Sequence, residues 1–298
     1  QMFSERERRG FVMHRLTDSD RAAYARDGYL CLEAWLSDDW VDRLSAVADR
    51  FVDRSRALTE STADILLGPG HSAEHPILRR IPQTVAFDPL FEDFGLRGPV
   101  VDLAEDLLGP DVRFHHSKLN FKSGGGGEEI RWHQDIPFWP HSNYGPLTIG
   151  VYLCDVDADM APMGVYAGSH RETLHTLRDA DGAWTGALSD AEAARLEPAR
   201  LRWLSGPRGT VTVHNCRVVH GSRANTSPRM RPLLLHTYAP CDAIPLTRIM
   251  DPVKFANVIV RGRSPAYARF DAEPCPMPPD WGAGEYSSIF SVQQEKLG

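Results

Sequence analysis

Between residues 112 and 240 the chain breaks into short β-prone runs, each closed by turn formers: "VRFHHSKLNFK", "LTIGVYLCDV", "GVYAG", "TVTVHN" and "RPLLLHTYAP". Parallel strands need crossover connections of a dozen or more residues, usually helical, and these runs lack such an alternation. The pattern therefore predicts an antiparallel sandwich or jelly roll rather than a parallel α/β sheet. One helical insert, "LSDAEAARL", divides the last three runs.

The segment before residue 112 is mainly helical. In "LTDSDRAAYARDG", Thr17 or Asp18 caps a short helix and Gly28 stops it in the left-handed position that favours glycine. "YLCLE" predicts a short strand. Ser37, followed by two aspartates, opens a second helix with Trp40, Leu44, Val47 and Phe51 on one face. "GPVVDLAEDLLG" predicts a third helix, ended by Gly109-Pro110. Residues 58–97 carry Gly68, Pro69, Gly70, Pro76, Pro82 and Pro89, which predicts an irregular stretch serving as a lid or pocket wall. After Pro240 the run "DAEPCPMPPDWGAG" predicts coil wrapped over the body. The expected organisation is one domain over 1–298: a helical part over 1–111, a jelly-roll core over 112–240 and a C-terminal extension over 241–298.

Composition narrows the function classes. The formal net charge of −7 and the absence of a long Lys/Arg block argue against nucleic acid or an anionic membrane surface as partner. The "ERERRG" near the start is mixed in sign and predicts a solvated end. No run approaches the roughly 18 apolar residues of a membrane span, and no charged-then-apolar leader opens the sequence. Cys31, Cys154, Cys216, Cys241 and Cys275 are odd in number and contain no CxxC pair. That predicts free thiols and a reducing, cytoplasmic location.

The chemistry concentrates in two stretches. "RWHQDIPFW" sets His133 and Asp135 two apart, and alternate strand positions share a face, as two ligands of one metal must. "TVTVHNCRVVHGSRANTSPRMRPLLL" brings a β-run to His220 and, eleven residues on, Arg231. Two histidines and one carboxylate match the facial triad of non-heme Fe(II) oxygenases, which leaves positions open for cosubstrate and O2. Arg231 suits the far carboxylate of a chelating dicarboxylate, which a planar guanidinium binds bidentately.

These stretches, with "LTDSDRAAYARDGYLCLEAWLSDDWVDRL", "SKLNFK" and "DVDADMAPMGVYAGSHR", resemble the phytanoyl-CoA dioxygenase-like family of Fe(II)/2-oxoglutarate oxygenases, in its ectoine hydroxylase-like branch. The resemblance spans most of residues 16–240. It implies a double-stranded β-helix core with flanking helices, and Fe(II) held by His133, Asp135 and His220. It implies that Arg231 binds the 2-oxoglutarate C5 carboxylate, assisted by Ser222 or Thr148, with Asn120 and Lys122 as further cosubstrate contacts. The implied activity is hydroxylation of an unactivated C–H bond, with 2-oxoglutarate and O2 converted to succinate and CO2. Halogenating relatives replace the ligand aspartate by a small residue, so Asp135 favours hydroxylation. The chain departs from the family's loop pattern at Ala161-Pro162-Met163-Gly164 and Ala167-Gly168-Ser169-His170.

Phe138, Trp139 and Tyr152 are candidates for an apolar substrate wall, and Arg131 for either a substrate carboxylate or a solvent-facing charge. His115, His116, His141, His170, His175, His214 and His236 are assigned to core hydrogen bonds, loops or solvent, with His214 at most behind a ligand. "SGGGGEE" lacks the ending of a phosphate loop and predicts a hinge or flap before the first ligand strand. Two rivals stay open: a cupin-type metalloenzyme that does not use 2-oxoglutarate, and a non-catalytic jelly-roll binding module. The expected substrate is a small metabolite, an amino acid or natural-product intermediate; the oligomeric state is not legible.

Overall fold

The computed structural model describes residues 15–126, 128–247, 255, 257–279 and 289–294. The readings of "ERERRG", of Gly127 and of the end of the proline-rich tail fall outside these residues. Helix α1 spans Asp18–Asp27; Thr17 and Asp20 form a reciprocal capping box at its start, and Gly28 ends it at φ 80°. A Cβ at Gly28 would sit 2.4 Å from His170 Nδ1, so packing as well as backbone angle requires glycine there. Strand β1 (Tyr29–Leu32) follows, then helix α2 (Asp38–Ser55), which buries Trp40, Leu44, Val47 and Phe51 as their spacing predicts.

The stretch 58–97 is more regular than its prolines suggest. It contains β2 (Leu66–Leu67), β3 (Leu78–Pro82) and helix α3 (Pro89–Arg97). Pro89 starts α3 instead of breaking structure, because the first helical position needs no N–H, and Asp88 accepts from Leu90 N–H at 2.8 Å. Helix α4 (Pro99–Leu108) completes the N-terminal part.

The β-rich part runs β4 (Val112–Lys122), β5 (Ile130–His133), β6 (Leu147–Tyr152) and β7 (Met163–Tyr166). After the single-turn α5 (Asp190–Ala193) come β8 (Leu201–Leu204), β9 (Val211–Asn215), β10 (His220–Ser222) and β11 (Arg231–Pro240). Then come β12 (Ile259–Arg261) and α6 (Ile289–Gln294). The large sheet has the order β1-β9-β6-β11-β4-β3-β2, with β12 also on β4; the small one has the order β5-β10-β7-β8. Every pairing is antiparallel. The two sheets make the jelly roll. Strand β8, from "LRWL", carries too short a signal to have been expected.

Alternation sorts the large sheet into two faces. Leu147, Ile149 and Val151 of β6, Val211 and Val213 of β9, and Leu234 and Tyr238 of β11 face the helices in one buried cluster. The residues between them, including Thr148, His214, Arg231, Leu233 and Leu235, line the cavity on the other face. The helical layer is keyed in by aromatic rings. Phe94 of α3 lies 5.2 Å from Trp40 and 5.4 Å, edge-on, from His236 of β11. Tyr238 donates to the Gly95 carbonyl at 2.7 Å. No described helix is long and apolar enough to cross a membrane.

Phe94 is fully buried between the helices and the sheet. Phe94→Ala is expected to cost ~3–5 kcal/mol of stability. Denaturant unfolding of the two proteins measures this; a loss below ~1 kcal/mol would mean that the helical layer does not lean on the sheet through this ring.

Candidate metal centre and its cavity

Strand β10 lies antiparallel to β5 with His220 directly opposite His133. The imidazole ring centroids are 4.1 Å apart. Asp135 follows β5 in a tight turn, where its N–H and that of Ile136 both donate to the Cys216 carbonyl, at 3.1 and 3.0 Å. His133, Asp135 and His220 are all buried, and one ligand atom from each lies within 4.8 Å of the others. Among the described residues this is the one cluster of His, Cys, Asp and Glu with that geometry.

Hydrogen bonds prepare all three for a cation. His133 Nδ1–H donates to the Arg131 carbonyl at 2.8 Å, and His220 Nδ1–H to the Val218 carbonyl at 2.9 Å. Only a protonated Nδ1 can donate to a carbonyl, so each Nε2 keeps its lone pair. Burial lowers the pKa of His133 to about 4 and holds His220 well below its ordinary value, so both are neutral at pH 7. Burial pushes Asp135 upward, but the hydrogen bond from His214 and the Lys118 ammonium oppose it, and the carboxyl is held well below its ordinary value. Its Oδ2 accepts from Thr148 Oγ–H and from His214 Nε2–H, both at 3.3 Å. Oδ1 lies 3.8 Å from His220 Nε2. Two neutral imidazoles and one carboxylate anchored through its other oxygen fit a divalent cation with an open face.

Arg231, the first residue of β11, is 3% exposed, and its Nε and Nη1 have no hydrogen-bond partner. The Tyr152 hydroxyl is its polar neighbour. A buried guanidinium with idle donors is costly, and a carboxylate is the group that satisfies it. Lys122 stands opposite Arg231 across the strands, and burial with the Arg231 charge pulls it down to about 6. Its Nζ donates to the carbonyls of Ser222, at 3.3 Å, and Arg223. Asn120, two residues back on the same face, has a buried Oδ1 without partner.

The structure also relocates several residues. Thr148 lines the cavity, but its hydroxyl is engaged by Asp135 and by Thr237 at 2.9 Å. Tyr152 is fully buried behind Arg231, packed with Val156, Met160, Leu233 and Leu235, and is absent from the cavity wall. Arg131 also leaves the wall: its guanidinium pairs with Asp190 at 3.1 Å and donates to the Leu188 carbonyl at 3.4 Å. Phe138 and Trp139 do line the cavity. The glycine run is tied down at Gly125 and Gly126, whose N–H groups donate to the Ser227 and Asn225 carbonyls, both at 2.8 Å.

His115, His116 and His141, assigned from sequence to the core or loops, line the cavity with Lys118 and Arg80. A bulge explains the first pair. The register of β4 on β11 runs His116↔Thr237 and then Phe114↔Tyr238, so His115 is the extra residue and both histidines turn inward. The period-two polar series His116, Lys118, Asn120, Lys122, alternating with Ser117, Leu119 and Phe121, was the available signal. The cavity holds about 170 Å³. This is below the roughly 300–1,000 Å³ of drug-sized sites and suits small ligands.

Residues 24–233 match the model of the phytanoyl-CoA dioxygenase family. The chain is 33% identical over 204 residues, 68% of its length and 71% of the relative's, to the probable alpha-ketoglutarate-dependent hypophosphite dioxygenase of Stutzerimonas stutzeri. It is 30% identical over 221 residues, 70% of each chain, to the ectoine dioxygenase of Sphingopyxis alaskensis. It also superposes on the crystal structure of EctD from S. alaskensis with bound Fe, at a TM-score of 0.68 and 27% identity. That match covers 87% of this chain and 88% of the other.

Two expectations come from the geometry. Thr148→Val removes one of the two donors on Asp135 Oδ2 and is expected to weaken Mn(II) binding by roughly 10–100-fold. Calorimetry reads this, and unchanged affinity would mean that the Thr148 bond does not orient the ligand. The buried histidines make the metal-free protein sensitive to acid. His133 and His141 sit at about 4 and His236 at about 3, against an ordinary 6.5. The unfolded chain therefore binds protons first. Stability is full above pH ~6.5 and declines as pH falls toward 4, which denaturant unfolding at stepped pH should show.

Proposed function

The chain belongs to the phytanoyl-CoA dioxygenase family, and on that premise we propose which of its residues perform each part of an Fe(II)/2-oxoglutarate-dependent oxygenase reaction. His133, Asp135 and His220 hold Fe(II). When bound, the iron with 2-oxoglutarate and O2 supplies the oxidising power to hydroxylate an unactivated C–H bond, releasing succinate and CO2.

The protein residues supply geometry. His133 and His220 present neutral Nε2 atoms, because backbone carbonyls hold their Nδ1–H groups. Thr148 and His214 grip Asp135 Oδ2 and turn Oδ1 toward the histidines. Arg231 takes the C5 carboxylate of 2-oxoglutarate on its idle donors, Tyr152 backs the guanidinium, and Lys122, Ser222 and Asn120 complete that end of the cavity. This gives Thr148 to the metal ligand rather than to the cosubstrate. Phe138 and Trp139 exclude water from the open face. The substrate is a small metabolite of the amino-acid or natural-product type, in keeping with the small cavity and with relatives named for small polar molecules. Residues 1–298 act as one catalytic domain, in a reducing compartment consistent with five unpaired cysteines.

The observation that carries this reading is a buried guanidinium with two idle donor nitrogens in the same cavity as a His/Asp/His centre. Arg231→Leu is expected to weaken 2-oxoglutarate binding by ~2–5 kcal/mol while Mn(II) affinity holds. Retained cosubstrate affinity would move the role to Lys122. Absence of 2-oxoglutarate binding to the Mn(II)-loaded wild-type protein would remove the reading altogether.

A further inference from the structure

The cavity wall carries two cations besides Arg231 and Lys122. Along β4 the inward side chains run Lys122, Asn120, Lys118, His116, so Lys118 stands about 13 Å up the strand from the Arg231–Lys122 pair. On the next strand Arg80 is opposite Asn120, and Gln83 follows Pro82, the partner of Lys118. Among the described residues neither Arg80 nor Lys118 forms an ion pair, and Arg80 Nε is buried without a partner. Asp135 is the one carboxylate among the described lining residues. Fe(II) and 2-oxoglutarate carry equal and opposite charge, so loading the centre leaves this excess of cations in place.

Two further lining residues keep idle acceptor atoms. Gln83 is 8% exposed and adopts a left-handed backbone, φ 50°, a strain that a non-glycine residue tolerates only when its surroundings enforce it. Its side-chain Oε1 has no hydrogen-bond partner. His141, 2% exposed, donates from Nδ1 to the Trp139 carbonyl at 2.7 Å, while its Nε2 is buried and unpartnered. His115 packs on His141 with ring centroids 5.0 Å apart. Buried acceptors left idle in this way are rare unless a ligand completes them.

Resting on the oxygenase reading, we infer that Arg80 and Lys118 bind an oxyanion head group of the substrate, carboxylate or phosphonate, while the acceptors Gln83 Oε1 and His141 Nε2 face donor groups of the same molecule. Anchored there, the substrate extends its C–H bonds along Phe138 and Trp139 toward the metal. The aromatic wall and the small cavity select a compact acid over a long acyl chain.

The test is calorimetry on protein saturated with Mn(II) and 2-oxoglutarate, titrated with acetate and with methylphosphonate. One of the two anions should bind, and the tighter one assigns the head group. Arg80→Met should weaken it at least about tenfold, ~1.4 kcal/mol, while Mn(II) and 2-oxoglutarate affinities hold; Lys118→Met should weaken it as much, read on protein kept saturated with Mn(II) because Lys118 also acts on Asp135. Lys118→Arg should retain most of the binding, which separates charge from folding damage. Anion affinity unchanged in both Met variants, or no binding once 2-oxoglutarate is saturating, overturns the inference while the oxygenase reading stands. Failure of 2-oxoglutarate itself to bind the Mn(II) protein would take down both.

Discussion

The site depends on one antiparallel contact, β10 lying on β5 with His220 opposite His133. The histidines are 87 residues apart in the chain, and only the hydrogen-bonded register makes them neighbours. Asp135 is brought to the pair by a turn that borrows a carbonyl from Cys216, just before β10, so the same local structure gathers all three side chains. Burial then does chemical work: it keeps the imidazoles neutral, so a cation meets lone pairs rather than protons.

A second strand pair, β4 with β11, organises the rest of the cavity. It aligns Lys122 with Arg231, Asn120 with Leu233, Lys118 with Leu235 and His116 with Thr237. Behind it β6 adds Thr148 beside Thr237, and β9 adds His214 beside Thr148. One row across four strands thus ends at the carboxylate of Asp135, through Thr148 and His214. The bulge at His115 breaks the alternation once, where it adds a second histidine to the wall. The helices stiffen this sheet from outside, and the Phe94 ring on His236 joins them to β11, the strand that begins at Arg231.

Polar burial on this scale is a cost that a folded chain carries for a reason. Arg231, Asn120, Gln83 and His141 all keep buried polar atoms idle. Such atoms weaken the metal-free protein, and ligands that complete them return the lost stability through binding. One end of the cavity suits a dicarboxylate cosubstrate, the His133–Asp135–His220 cluster opens on the same cavity, and Arg80 and Lys118 add cations to its wall.

Periodicity and residue chemistry determined the β-rich core, the face of α2, the caps at Thr17 and Gly28, and the His133–Asp135–His220–Arg231 set. Each of these is a local pattern or a residue type with few other uses. Tertiary structure alone decided which polar residues face the cavity. The bulge at His115 shifts an alternation that sequence treats as unbroken, and Pro89, read as a loop marker, begins a helix because Asp88 caps it. Arg131 and Tyr152 looked like pocket residues, yet Asp190 takes the first and the core behind Arg231 takes the second. Cross-strand partners, unlike strand periodicity, belong to two distant segments at once, so no window along the chain contains them.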